Sequence, residues 1–187
     1  MKGLLFTEFL DFADREFGAD AAGRLVAAGG RPAIEHYQPA GQYDHGELLE
    51  LAERLAGLVG VSRADLLRRF GRALFRHFTA LYPVFLAGAE SALAFLADSD
   101  TYVHGELQKL YPDAQFPVFE CRWLDDRRLQ MIYRSRRRLA DLAQGLIEGC
   151  IAHFGEEVAV RREDLEGGDG EVVRFELVAT PRQSLDW

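Results

Sequence analysis

From Lys2 to Tyr111 the apolar residues of this chain recur at helical spacing, and at Pro112 and Pro117 that pattern stops. Beyond the prolines come short alternating runs, one further helical stripe, and alternation again. A period near four places apolar side chains on one face of a helix, and a period of two places them on one face of a strand. A switch of period partway along a chain segregates helices from strands, so the fold class predicted is α+β with a small four-stranded antiparallel sheet.

Leu5, Phe6, Phe9, Leu10, Phe12 and Ala13 give one broad stripe on a helix over 2–17. Gly18 stops it, and Asp20 caps a second, Ala-rich helix over 20–29 that ends at Gly29-Gly30. Pro32, Pro39 and Gly41 make residues 31–44 irregular. A third helix covers 45–58, with Gly57 and Gly60 as stops. Ser62, with Asp65 three residues on, is a capping pair for a long helix to about residue 80. Pro83 opens a helix to Ala97, and 98–111 form another, with His104 in its middle and Val103, Leu107, Leu110 and Tyr111 toward the core. Strands follow at 118–124 and 127–135, joined by a tight turn at Asp125-Asp126. A helix over 138–154 and strands at 156–163 and 171–179 complete the pattern, and 181–187 read as a tail.

The 187 residues suit a single domain in two lobes, about 1–60 and 61–180. A net charge of −8 excludes a general nucleic-acid binder. No apolar run is long enough to span a bilayer, and Glu8 and Asp11 interrupt any signal-like start, so a cytoplasmic location is expected. Cys121 and Cys150 have no metal-like spacing and read as reduced thiols. No nucleophile elbow, phosphate loop or dinucleotide turn is present, so the chain is not expected to be an enzyme.

Two places carry chemistry. On a strand over Ile132–Arg137, Tyr133, Ser135 and Arg137 share one face. Two hydroxyls and a guanidinium fork suit a carboxylate pair or a phosphate, although polar residues at period two are most often the wet face of a strand. His104 is the other. A histidine on an apolar helix face is more often a core residue than a ligand, but Gly105 beside it costs helix stability, about 1 kcal/mol against Ala, and close approach by something flat would account for it. His36, His45, His77 and His153 fall at no metal-ligand spacing.

Taken together, the Met1-Lys2-Gly3 start, His104, Pro117 after Gln115-Phe116, Tyr133-x-Ser135-x-Arg137 and Gly145-Leu146-Ile147-Glu148-Gly149 resemble the H-NOX family of haem nitric oxide/oxygen-binding domains, over nearly the whole chain. The resemblance implies a haem b between a helical N-terminal lobe and the lobe carrying the sheet. It implies His104 as proximal iron ligand, Tyr133, Ser135 and Arg137 on the propionates, and Pro117 pressing on the porphyrin. Leu5, Phe9, Leu74, Phe78, Leu142 and Leu146 would form the apolar pocket.

It also bears on the gas. Oxygen-binding members place a distal tyrosine five residues after the signature arginine; here that position is Leu142, with Phe9 and Leu74 at the supporting positions. None of the three donates a hydrogen bond. The resemblance therefore implies selectivity for nitric oxide over oxygen, with carbon monoxide as a further ligand and with His77 or another donor able to swing in as the exception to watch. It implies signalling by weakening of the iron–His104 bond, read by a separate histidine kinase or cyclic-di-GMP enzyme, as in two-component and cyclic-di-GMP signalling. The rival readings are an oxygen sensor of the same fold, a haem enzyme, and a haem-free interaction module.

Overall fold

The computed structural model describes residues 1–18, 21–28, 37–99, 101–165 and 167–180. The expected cap at Asp20, the Gly29-Gly30 stop, Pro32, His36, Glu166 and the tail lie outside the described residues, as does the side chain of Leu110. Seven α-helices are described: α1 (Gly3–Phe17), α2 (Ala21–Ala28), α3 (His45–Val59), α4 (Arg63–Leu81), α5 (Ala92–Asp98), α6 (Val103–Leu110) and α7 (Ala140–Phe154). Strands β1 (Val118–Asp125), β2 (Arg128–Arg134), β3 (Val158–Leu165) and β4 (Val172–Ala179) form one antiparallel sheet in the order β1-β2-β4-β3. The α+β class expected from the change of period is the class observed.

Local chemistry sets the helix starts. Asp44 accepts from the Gly46 amide at 2.7 Å to open α3. Ser62 accepts from the Asp65 amide at 3.0 Å to open α4, and its hydroxyl donates to the Asp65 carboxylate at 2.7 Å. That bond, with one from Arg68, holds the Asp65 carboxyl below its ordinary range.

Four sequence expectations need correcting. The single helix over Pro83–Ala97 is two pieces: a 3-10 turn at Pro83–Leu86, then α5, which Ser91 caps. Gly88 lies between them at φ 90, a left-handed conformation that ends the first piece. The helix over 98–111 begins only at Val103, so His104 sits in its first turn rather than its middle. The hairpin turn falls one residue later than Asp125-Asp126: β1 runs through Asp125 after a register shift, and the Asp125 carboxylate accepts from the Arg127 amide at 3.0 Å. Finally, β2 ends at Arg134, so Ser135 and Arg137 do not extend its alternation.

Two apolar cores result. One joins α1, α2, α3 and the N-terminal half of α4, around Phe6, Phe9, Phe12, Leu48, Leu55 and Phe70. The other lies between the sheet and α5 and α7, around Leu93, Leu129, Met131, Phe175, Ile147 and Cys150. On β2 the buried residues are Leu129, Met131 and Tyr133, every second one, so the Tyr133 face is the core face and not the wet one.

Helices α4 and α7 bind the two cores together. At their crossing a Cβ on Gly145 would stand 2.3 Å from the Arg68 carbonyl oxygen, and one on Gly149 2.8 Å from Phe75 Cβ. Only the missing side chains let these backbones approach so closely. Arg72 on α4 reaches the Glu148 carboxylate on α7, which also accepts from Gln144 Nε2 at 2.9 Å. Among the described residues no helix is long and apolar enough to cross a membrane.

Candidate functional site

A cavity of about 280 Å³ opens between α1, α4, α6, α7 and the loop leading to β1. That is close to the lower end of small-molecule sites, which run from about 300 Å³. Leu4 and Leu5 line it from α1, Leu74 and Phe78 from α4, and Leu139, Leu142 and Leu146 from α7 and its start. Leu5, Leu74, Phe78, Leu142 and Leu146 therefore share one apolar wall. Phe9 does not reach it: it is fully buried in the N-terminal core, edge-on to Phe70 with ring centroids 5.1 Å apart.

His104 lines the opposite side. Its ring stacks on Phe116, centroids 4.9 Å apart and planes 17° from parallel, with Phe119 at 6.1 Å. Pro117, next to Phe116, also lines the cavity. A methyl added at Gly105 would meet no protein atom within 4 Å, so packing within the protein does not account for the glycine. The sequence did not mark Phe116 and Phe119 as neighbours of His104; only the return of the chain along β1 brings them there.

Tyr133, Ser135 and Arg137 close one end of the cavity. A turn groups them after β2 has ended. The Ser135 amide donates to the Glu171 carbonyl at 2.9 Å, the Arg137 amide to Ser135 Oγ at 3.2 Å, and the Arg138 amide to the Ser135 carbonyl at 3.1 Å. Arg138 adopts φ 55 and ion-pairs with Asp169 at 3.0 Å, which fixes the turn from outside. The Tyr133 hydroxyl accepts from the Leu139 amide at 3.2 Å. Burial pushes its pKa up, and its hydrogen bonds with Ser135 and Leu139 oppose that. The Arg137 fork reaches the Gln115 carbonyl and, at 3.3 Å, Gln115 Oε1. A guanidinium has five N–H donors, so this contact leaves capacity for an oxyanion.

Several hydroxyls line the cavity that the sequence did not single out. Tyr82, at the end of α4, and Tyr111, at the end of α6, are among them, and burial, with Tyr82 nearby, raises the pKa of Tyr111. The Thr79 hydroxyl donates to the Arg76 carbonyl at 3.0 Å and the Ser99 hydroxyl to the Leu96 carbonyl at 2.8 Å. His77 lies outside the cavity lining, its Nε2 3.2 Å from the buried Glu8 carboxylate.

The donor set fits a haem: one imidazole on a wall, apolar faces on either side, and two hydroxyls with a guanidinium at one end. Among the described residues no three His, Cys, Asp or Glu side chains converge as metal ligands. A metal held by His104 thus needs its remaining ligands from elsewhere, as a porphyrin supplies them. An α+β domain with a histidine facing an oxyanion cradle across an apolar cavity belongs to the class of haem-pocket proteins.

Comparison with known proteins makes this specific. Residues 2–162 match the family model described as Haem-NO-binding. The chain belongs to that family, and so has its haem-binding gas-sensor fold. Among solved structures, the Fe(II) unliganded H-NOX protein from K. algicida is 30% identical, with 98% of both chains covered and a TM-score of 0.87. The S. oneidensis H-NOX protein in its Fe(II)NO state is 20% identical, with 97% of this chain and 100% of that one covered and a TM-score of 0.87. A mutant of T. tengcongensis H-NOX is 23% identical, with 97% and 98% covered and a TM-score of 0.85. No curated protein sequence matches the chain.

Proposed function

We propose that the chain senses nitric oxide in preference to oxygen through a haem b held by His104. Tyr133, Ser135 and Arg137 hold its propionates, and Pro117 presses on its face. The observation that supports the selectivity is the Leu74–Leu142 wall, which has no hydrogen-bond donor, together with the Thr79 and Ser99 hydroxyls, which donate to carbonyls within the protein. His77 is held by Glu8 and supplies no donor either. A bound haem would supply an iron for the gas ligand, with His104 as its ligand from the protein. The protein's part is to exclude water with the leucine wall, to orient the group through Arg137, and to carry His104 on a helix that can shift.

Signalling then follows from movement of α6, a packing change biased by ligand. A separate partner reads it; a histidine kinase or a cyclic-di-GMP enzyme in the cytoplasm fits such a sensor. The acidic chain, at −8, favours a basic face on that partner. Sensing rather than catalysis is inferred because the leucine wall offers no acid or base to a bound substrate. The absorption spectrum of the ferrous protein tests the proposal. Air should leave it unchanged and nitric oxide should shift it; a shift in air overturns the selectivity. His104→Ala should alter the ferrous spectrum, and Arg137→Ala should speed haem loss to an acceptor protein.

A further inference from the structure

Residues 111–117 connect the end of α6 to β1, and the last turn of α6 is tied into them. Gln108 on α6 donates through Nε2 to the Pro112 carbonyl at 2.6 Å and to the Tyr111 carbonyl at 3.3 Å. The Tyr111 amide donates to the Leu107 carbonyl at 2.8 Å, and the Ala114 amide to the Tyr111 carbonyl at 2.9 Å. These bonds make the helix and the following turn one unit, so α6 cannot shift without carrying Asp113 with it.

Asp113 reaches across to the N-terminal lobe. Its carboxylate lies 2.7 Å and 2.8 Å from Lys2 Nζ through its two oxygens, and also accepts from Gln42 Nε2. Lys2 and Gln42 are themselves paired in an antiparallel bridge. The bridge is pinned by the Met1 amine on the Tyr43 carbonyl at 2.7 Å and by the Gly3 amide on the Gly41 carbonyl at 2.8 Å. The Lys2 side chain is only 16% exposed, so it is held in place and does not swing in solvent. Gly3 begins α1, whose Leu4 and Leu5 line the cavity. Hydrogen bonds from Lys2 and Gln42 keep the Asp113 carboxyl below its ordinary range, and it stays charged at neutral pH.

We propose that Asp113 is a positioning residue that couples α6 to the N-terminal lobe, passing a displacement of His104 through residues 111–113 to Lys2, Gln42 and the start of α1. This rests on the assignment of His104 as haem ligand. Asp113 touches neither the cavity nor the gas, so its effect lies in transmission.

The test compares haem-loaded wild type with Asp113→Asn, Lys2→Gln and Asp113→Glu, with and without nitric oxide. Absorption and electron paramagnetic resonance spectra report ligand binding and His104, and hydrogen–deuterium exchange reports residues 3–17 and 37–44. Wild type should show both the spectral change and an exchange change in those segments. Asp113→Asn should keep the spectral change and reduce the exchange change by about two- to fivefold, the range one exposed ion pair can supply, and Lys2→Gln, whose side chain also lines the cavity, should reduce the exchange change by the same factor. Asp113→Glu should restore it. An undiminished exchange change in Asp113→Asn overturns the proposal, as does a wild type whose spectrum responds while residues 3–17 do not. A wild type whose spectrum ignores nitric oxide instead defeats the haem assignment, and the spectra alone show that.

Discussion

Helices α7 and α6 both line the cavity, and they are built in opposite ways. In α7 nine residues are buried, and Gly145 and Gly149 bring its backbone against α4 closely enough that no side chain fits between. In α6 none of the described side chains is buried. Its ties to its surroundings are the stacking of His104 on Phe116 and, just beyond its end, the bonds of Asp113 to Lys2 and Gln42. Segments with few buried apolar groups open and shift at low free-energy cost, and densely packed ones do not. One side of the cavity is thus a densely packed wall, and the other, which carries His104, is held by fewer buried contacts. A pocket that must both hold a large planar group and report on it needs one of each.

The sharpest way to break this contrast is at the helix crossing. Gly145→Ala places a methyl against the Arg68 carbonyl and should destabilise the fold by about 1–3 kcal/mol, read as a lowered denaturation midpoint. An unchanged midpoint means the crossing is not the rigid element. On the other side, Leu107→Ala removes a half-buried α6 side chain and should cost only about 1 kcal/mol while raising amide exchange throughout α6. A cost equal to that of Gly145→Ala would erase the distinction between the two helices.

The smallest effect concerns the packing of α1 on α4. Burial raises the pKa of Glu8, and His77 and Arg15 act against the rise. A carboxyl with a raised folded pKa binds its proton more tightly folded than unfolded. Its contribution to stability is therefore complete below the ordinary glutamate range and is lost as pH rises through the higher folded value. Thermal midpoints of wild type should fall across that window, and Glu8→Gln should flatten the slope. Parallel profiles for the two proteins would show that Glu8 is not the group responsible.

The fold class was legible in the sequence because each period points to one kind of element, and the cap at Ser62 and the stripe on α1 set local structure through near neighbours. The break at Gly88 was not, because a glycine inside an apolar run signals a stop only when its φ turns positive. The chemistry of the site was legible as residue types: His104, Tyr133, Ser135 and Arg137 are the side chains such a pocket needs, whatever their backbone. Their grouping was inferred from a strand that in fact ends at Arg134, and a turn held by Glu171 and Asp169 groups them instead. Phe9, which the resemblance puts with the pocket residues, packs against Phe70 in the N-terminal core, a contact between α1 and α4 that no local pattern shows.

Sequence by itself determined the class and most of the elements, since these depend on neighbours within a few residues, and the resemblance named the side chains expected to hold a haem. Tertiary structure alone decided that Tyr133 faces the core, that His104 stacks on Phe116, that Gly145 meets Arg68, and that Asp113 fastens the helix of His104 to Lys2. Each of those contacts joins residues far apart in the chain, and no local pattern encodes which distant partner a folded backbone will bring within reach.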